Sequence, residues 1–379
     1  MKKTILLGTT ALFAAAIVTG GAAQAAEEPI TAGISGYFKS AMGFVSQDNA
    51  DGELADGRLS NAFANSVEIG VGGSTTLDNG ITAGFDVQLD SAGFDERHVF
   101  FSGSFGLIQA GQIEGVRQQM TNFAPGASAA GFGVNSAHFV FGAGGSVSAV
   151  RTYTDGLGDE DSGKLNYFSP TFNGFRLGLS YAPDDVASGA YGGAATDGLG
   201  DLQGNRAVAV EYSNDFGDFN IHVSAGMEDN RLEVCNFNAA GVAITAASAA
   251  AQNCEDNPTS IAFGGTVSFG EFAIGGSYLE TEQIGNTATG AGRTREDMDL
   301  GISYSSGPMS VALQYGQGEL DDVAGLTDQF EVYQLQAEYV LGPGIVLGAA
   351  LTKGEFDDAT ANGLDNDYTN VVIGAHLGF

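Results

Sequence analysis

Asp367-Tyr368-Thr369-Asn370-Val371-Val372-Ile373-Gly374-Ala375-His376-Leu377-Gly378-Phe379 is the C-terminal stretch of the chain, and its period is two. Val371, Ile373, Ala375, Leu377 and Phe379 fall on one face; Asn370, Val372, Gly374, His376 and Gly378 fall on the other. Side chains of a strand alternate across the sheet, so this is a strand with one apolar face. The same alternation recurs upstream. Ile345, Leu347, Ala349 and Leu351 oppose Val346, Gly348, Ala350 and Thr352. Tyr333, Leu335, Ala337 and Tyr339 oppose Gln334, Gln336 and Glu338. Phe175, Leu177, Leu179 and Tyr181 oppose Arg176, Gly178 and Ser180. Soluble sandwiches alternate too. Here the second face is small or hydrophilic in strand after strand, and Tyr and Phe collect at strand ends. A wet lumen inside an apolar belt with aromatic girdles requires that arrangement.

The connections alternate as well. Short ones carry tight-turn residues: Asp78-Asn79-Gly80, Ser169-Pro170 to Gly174, Asp215-Phe216-Gly217, Phe269-Gly270-Glu271, Ser306-Gly307-Pro308 and Gly342-Pro343-Gly344. Between them lie longer stretches rich in Asp, Asn, Gly and Ala. Short turns at one end and long loops at the other are the asymmetry of an outer-membrane barrel. The pattern predicts sixteen strands, near 32–46, 65–77, 80–90, 95–105, 106–113, 163–169, 174–182, 205–215, 218–228, 258–269, 271–281, 295–305, 309–318, 328–341, 344–354 and 367–379. The fold class is therefore all-β: a sixteen-stranded antiparallel transmembrane β-barrel, one domain over 26–379.

Residues 1–25 read as a cleaved signal peptide: Lys2 and Lys3, the apolar run Ile5 through Val18, then Ala23-Gln24-Ala25 as a small-x-small site. No later stretch reaches the ~18 consecutive apolar residues of a membrane-spanning helix. The net charge is −32, from 14 Lys and Arg against 46 Asp and Glu, which makes nucleic acid a poor partner. The 58 glycines show no G-X-Y period, which excludes collagen and suits strands that curve and pack closely.

The longest connection, 112–162, is too long for an ordinary loop. It holds Phe123, Phe132, Phe139, Val140 and Phe141, which would not choose water. The expectation is a constriction loop folded into the lumen; the other reading is an external loop packed on its neighbours. Cys235 and Cys254 are the only cysteines, and in one exported loop they read as a disulfide. Acidic residues crowd the predicted loops, including Asp48, Asp51, Glu53, Asp56, Asp184, Asp185, Asp321, Asp322, Asp357 and Asp358. Such oxygen ligands can hold Ca²⁺ or Mg²⁺, although a solvated rim explains them as well. No resident cofactor is expected. There is no nucleophile elbow and no zinc-site spacing, so no enzyme chemistry is expected either.

Four segments carry a resemblance. Gly36-Tyr37-Phe38-Lys39, the run Arg97-His98-Val99-Phe100-Phe101 through Gln112, the run Lys164-Leu165-Asn166-Tyr167-Phe168-Ser169-Pro170 through Phe175, and the terminal Phe379 occur in the order seen in Gram-negative outer-membrane general porins. The chain resembles that trimeric, sixteen-stranded family, in its alphaproteobacterial type. The resemblance implies a water-filled channel for passive diffusion of small hydrophilic solutes and ions, in the outer membrane of a Gram-negative bacterium. It implies a homotrimer among outer-membrane lipid and lipopolysaccharide, and an assembly signal at Phe379 read by the barrel assembly machinery. It implies a basic wall at the constriction, matched by Lys39, Arg97 and Lys164; alternation adds Arg176. The family's acidic loop segment is matched only by Asn122-Phe123-Ala124-Pro125-Gly126, so Glu114 or Asp159-Glu160-Asp161 would have to supply the acids. A structural or adhesive surface barrel without an open pore is the competing function.

Overall fold

In the computed structural model, the residues described are 29–47, 60–127, 132–135, 152, 157, 161–184, 202–232, 257–284, 293–321, 325–357, 359 and 365–379. They contain sixteen strands: β1 (Thr31–Gln47), β2 (Asn61–Thr76), β3 (Thr82–Leu89), β4 (Phe94–Gly103), β5 (Gly106–Gln112), β6 (Gly163–Phe168), β7 (Phe175–Asp184), β8 (Leu202–Asp215), β9 (Phe219–Leu232), β10 (Thr259–Phe269), β11 (Phe272–Ile284), β12 (Arg293–Ser306), β13 (Met309–Asp321), β14 (Thr327–Gly342), β15 (Ile345–Asp357) and β16 (Asn366–Gly378). One short helix, α1 (Val116–Met120), follows β5. Each strand pairs antiparallel with its sequence neighbours, and β1 pairs with β16 to close the barrel. Closure gives every strand a hydrogen-bonded neighbour on both sides, a requirement where no water can satisfy backbone groups. At the seam, Gly36 and Phe379 exchange two backbone hydrogen bonds of 3.0 Å.

The two faces separate as the alternation predicts. Phe63, Phe175, Leu177, Leu179, Phe263, Ile274, Leu300, Leu313, Leu335, Leu347 and Ile373 are exposed and point outward, forming the apolar belt. Turn chemistry sets the register at the short-turn end. At 173–174 the Asn-Gly pair has φ of 49° and 88°, while Phe172 and Phe175 exchange two backbone bonds of 2.8 and 2.9 Å. Two successive positive φ values make the hairpin turn whose twist matches the flanking strands.

The strands run further toward the long-loop end than the sequence pattern shows. β9 continues to Leu232, β11 to Ile284, β13 to Asp321 and β15 to Asp357. Beyond the apolar belt both faces are polar, so alternation fades while the hydrogen-bond ladder continues. β3, β4 and β5 stay short, and the Asp90–Gly93 connection between β3 and β4 is tight: the Asp90 carboxylate accepts from the Ala92 and Gly93 backbone N–H groups at 2.7 and 3.0 Å.

Candidate functional site

The segment after β5 enters the barrel and follows the inner wall. Ser180 on β7 accepts from the Val116 backbone N–H (2.8 Å), and buried Arg117 donates to buried Glu228 on β9 (3.0 Å). Asn122 reaches β9 and β10: its N–H donates to Ser224 Oγ (2.9 Å), its amide donates to the His222 carbonyl (2.9 Å), and its Oδ1 accepts from Thr266 (3.2 Å). Further on, the Ala124 N–H donates to Asp299 on β12 (2.8 Å), and the Ala127 N–H donates to Gln336 on β14 (2.8 Å). The described part of the loop therefore lies inside the lumen, as the apolar residues led one to expect; Phe139, Val140 and Phe141 lie outside the described residues. Its backbone polar groups find partners on the wall, which removes the cost of burying them.

The wall is shaped for the loop. Val116 and Met120 bury themselves against Phe168, Ala207 and Ala209. Phe132 packs on Ala41, Ala350 and Val372, and Val134 packs on Leu320, Phe330, Val332, Phe356 and Tyr368. Apolar inward positions on an otherwise polar lumen thus mark the loop's path; burying each large side chain contributes roughly 1.5–3 kcal/mol. Close approach also needs missing side chains. A Cβ on Gly264 (β10) would overlap the Asn122 carbonyl oxygen, and one on Gly301 (β12) would stand 2.7 Å from the Pro125 carbonyl oxygen. Glycine at these inward positions lets the loop backbone lie against the strand.

Asp299 is the main anchor. It is fully buried and accepts from the Ala124 N–H (2.8 Å), the Asn135 side-chain amide (3.3 Å), the Thr152 hydroxyl and the Ser277 N–H (2.8 Å). Gln314 and Gln336 extend it: the Val134 N–H donates to Gln314 (3.2 Å), and Gln314 donates to the Ala124 carbonyl (3.1 Å). Three separate points of the loop are tied to one carboxylate. Sequence reading passed over it; the available signal was a strand, Arg295 to Ile302, with Asp297 and Asp299 on the face opposite Met298, Leu300 and Ile302. Next to the anchor, buried Arg295 and Asp297 make a two-pronged contact of 2.6 and 2.9 Å.

The expected basic wall is rearranged. Lys39 on β1 points inward, with its ammonium 4.4 Å from the Tyr37 ring centroid and within electrostatic reach of Glu68 and Glu338. Lys164 on β6 is inward and buried. Arg176 is inward but lies at the short-turn end of β7, 3.4 Å from Glu211 and 4.4 Å above the Phe168 ring. Arg97 is a correction. It shares parity with the exposed Val99 and Phe101, pairs across the ladder with Val87, and donates to Gln112. It therefore stands on the outer face, and its strand neighbours Glu96 and His98 take the inward positions. A shift of one residue in register moves every side chain to the other face.

With Arg97 gone from the lumen, the wall between Lys39 and Lys164 is acidic. Glu68 on β2, Asp86 on β3 and Glu96 on β4 face inward along it. Glu96 is buried, accepts from Gln88 (3.1 Å), and lies within electrostatic reach of Asp86, Asp95, Glu114 and Asp161. Glu114 and Asp161 sit at the two stems of the loop, so the acids come together where the loop leaves and rejoins the wall. Asp159, Glu160, Cys235 and Cys254 lie outside the described residues, as do Asp48, Asp51, Glu53, Asp56, Asp185, Asp322 and Asp358 among the loop acids.

Comparison of the sequence with curated proteins returns no match. Among solved structures, the anion-selective porin from Comamonas acidovorans superposes with a TM-score of 0.61 at 18% identity, over 93% of this chain and 100% of that one. The outer membrane channel DcaP of Acinetobacter baumannii gives 0.60 at 14% identity, over 94% and 100%. The trimer form of Vibrio cholerae OmpT gives 0.60 at 15%, over 93% and 100%. These likenesses concern the fold. The sequence itself matches the Gram-negative porin family over residues 9–359. An apolar belt outside and a polar passage inside fit a water-filled channel for small hydrophilic solutes and ions across the outer membrane, and by that match the chain belongs to the Gram-negative porin family.

Proposed function

We propose that this porin favours cations and moves its solutes without chemical change or a resident cofactor. The observation that supports the preference is the inward acidic arc of Glu68, Asp86 and Glu96, continued by Glu114 and Asp161 at the loop stems. A low-dielectric channel lined by one sign of charge concentrates the opposite ion. Lys39 and Lys164 flank the arc without interrupting it. The Comamonas acidovorans protein is an anion-selective porin; the acids here argue for the opposite sign.

The working unit of this reading is a homotrimer set among outer-membrane lipid and lipopolysaccharide. Residues 1–25 are removed on export, and Phe379 is read by the barrel assembly machinery. The test is a planar bilayer with a salt gradient. A reversal potential of cation-selective sign is expected, weakened in Glu68→Gln/Asp86→Asn/Glu96→Gln, with conductance appearing in groups of three. A reversal potential of anion-selective sign in the wild type refutes the preference, and single steps that never group in threes refute the trimer.

A further inference from the structure

The outer face of β7–β10 changes character in one step along the strands. Cross-strand register sets Leu179, Val208, Met227 and Ile261 side by side, all exposed and apolar. The next outward row toward the long-loop end is Tyr181, Arg206, Asp229 and Thr259. The row above brings Pro183, Arg231 and Asn257. A bulge between Gln203 and Arg206, with Gly204 at φ +64°, opens the ladder there. The result is a groove of about 270 Å³ lined by Tyr181, Pro183, Arg206, Asp229, Arg231 and Asn257. It joins an apolar trough of about 390 Å³ that includes Leu179, Val208 and Met227.

Arg206 stands opposite Asp229 in the ladder, which makes Arg231 its diagonal neighbour. The two side chains line the same groove, so both guanidiniums can converge on one tetrahedral anion. Neither has an ion pair among the described residues, although Asp229 lies beside both. Among the described residues, the outward rim from β11 to β15 is mainly acidic: Glu280 faces Glu296, Glu331 faces Glu355, and Lys353 stands next to these acids. Outward Arg97 is engaged by Gln112. The paired arginines are therefore a local reversal of charge, placed where the apolar belt ends.

We propose that this groove binds the phosphorylated glycolipid of the outer leaflet, Arg206 and Arg231 holding a phosphate while an acyl chain lies over Leu179, Val208 and Met227. The inference deepens the reading that the barrel contacts lipopolysaccharide and rests on it. Guanidinium forks match phosphate oxygens in pairs, and basic residues beside an apolar surface are the usual recognition chemistry for anionic headgroups. The long-loop end places the groove at the extracellular leaflet.

The test is native mass spectrometry of the full, folded channel in neutral detergent. The probes are the bisphosphorylated diglucosamine anchor of lipopolysaccharide, the same anchor stripped of phosphate, and inorganic phosphate. The wild type is expected to retain the phosphorylated anchor over both others. Arg206→Gln/Arg231→Gln should lose about a hundredfold in affinity, the scale of two charge-assisted bonds. Arg206→Lys/Arg231→Lys should recover part of it, and unchanged single-channel conductance should show the barrel intact. Equal retention by wild type and the glutamine pair overturns the site but leaves glycolipid contact elsewhere standing. No retention by the wild type overturns both. Equal binding of the phosphate-free anchor, or of inorganic phosphate alone, also overturns the proposal.

Discussion

Replacing Asp299 by Asn tests whether one carboxylate fixes the constriction. The substitution keeps shape and removes charge. An amide oxygen in place of Oδ1 still accepts from the Ala124 and Ser277 N–H groups at 2.8 Å. The amide nitrogen in place of Oδ2 meets the Asn135 amide, another donor, at 3.3 Å, and the Thr152 hydroxyl, which can turn to accept. One charge-assisted bond becomes a donor–donor contact and the other three become neutral. At about 1.5–3 kcal/mol for a bond to a charged group against about 0.5–1.5 for a neutral one, the loss is roughly 4–7 kcal/mol. Its largest single share falls on the distal half of the loop, because Ala124 keeps a neutral bond. The barrel keeps its sixteen paired strands, so folded mobility on an unheated gel should match the wild type. Single-channel recording should show a noisier open state from a distal loop less tightly held. Asp299→Ala, which also orphans the Ala124 and Ser277 N–H groups, should be noisier still. If Asp299→Asn conducts with wild-type amplitude and wild-type noise, Asp299 is not the anchor and the reasoning fails.

Two further outcomes follow from the same wall. Gly264→Ala should lower conductance, because its new methyl overlaps the Asn122 carbonyl and pushes the loop off β10, whereas Gly33→Ala, with nothing within 4 Å of its Cβ, should conduct normally; equal conductance of the two variants would show that the loop does not rest on Gly264. Lys164→Gln should shift the reversal potential toward stronger cation preference while Arg97→Gln leaves it unchanged, since Lys164 faces the lumen and Arg97 the outside; a shift with Arg97→Gln would return that side chain to the pore.

The barrel was legible because it is built on the one signal a sequence displays directly. Outward residues such as Leu335, Leu347 and Ile373 must be apolar to meet lipid, and Gln334, Gly348 and Asn370 on the alternate positions may be anything the lumen tolerates. That contrast fixes strand number and parity together. It disappears where Glu319, Glu331, Glu355 and Asp357 replace apolar residues on the outer face, and the strand ends there were read short for that reason. Arg97 was misplaced because β4 carries charges on both faces, with Glu96 inward and Arg97 outward. Hydrophobic alternation is silent at such a pair, and a motif match then decides parity without physical support. The Asp299 anchor was hidden differently. Its partners Ala124, Asn135 and Thr152 lie far away in sequence, and nothing local marks a carboxylate as a receiver of three distant donors.

The features of the lumen that look like exceptions share one cause. A water-filled channel has no need for Phe356, Val372 and Ala350 to face inward, nor for glycine at Gly178, Gly226, Gly264 and Gly301, nor for a fully buried Asp299. Each makes sense once the loop is part of the wall. Val134 and Phe132 cover the apolar residues, and backbone near Asn122 and Pro125 fills the space left by two of the glycines, while α1 side chains fill the other two: Met120 and Val116 would meet a Cβ at Gly178, and Arg117 one at Gly226. The loop donors satisfy Asp299. These contacts run from β6 round to β16 and β1, while the arc of β2, β3 and β4 keeps its acids. The loop thereby divides the interior into a side that holds it and a side that meets the solute. Mutations on the first side should change conductance and noise, and mutations on the second should change ion preference. The division follows from where the barrel spends its inward side chains, because a position occupied by the loop cannot also face the permeating ion.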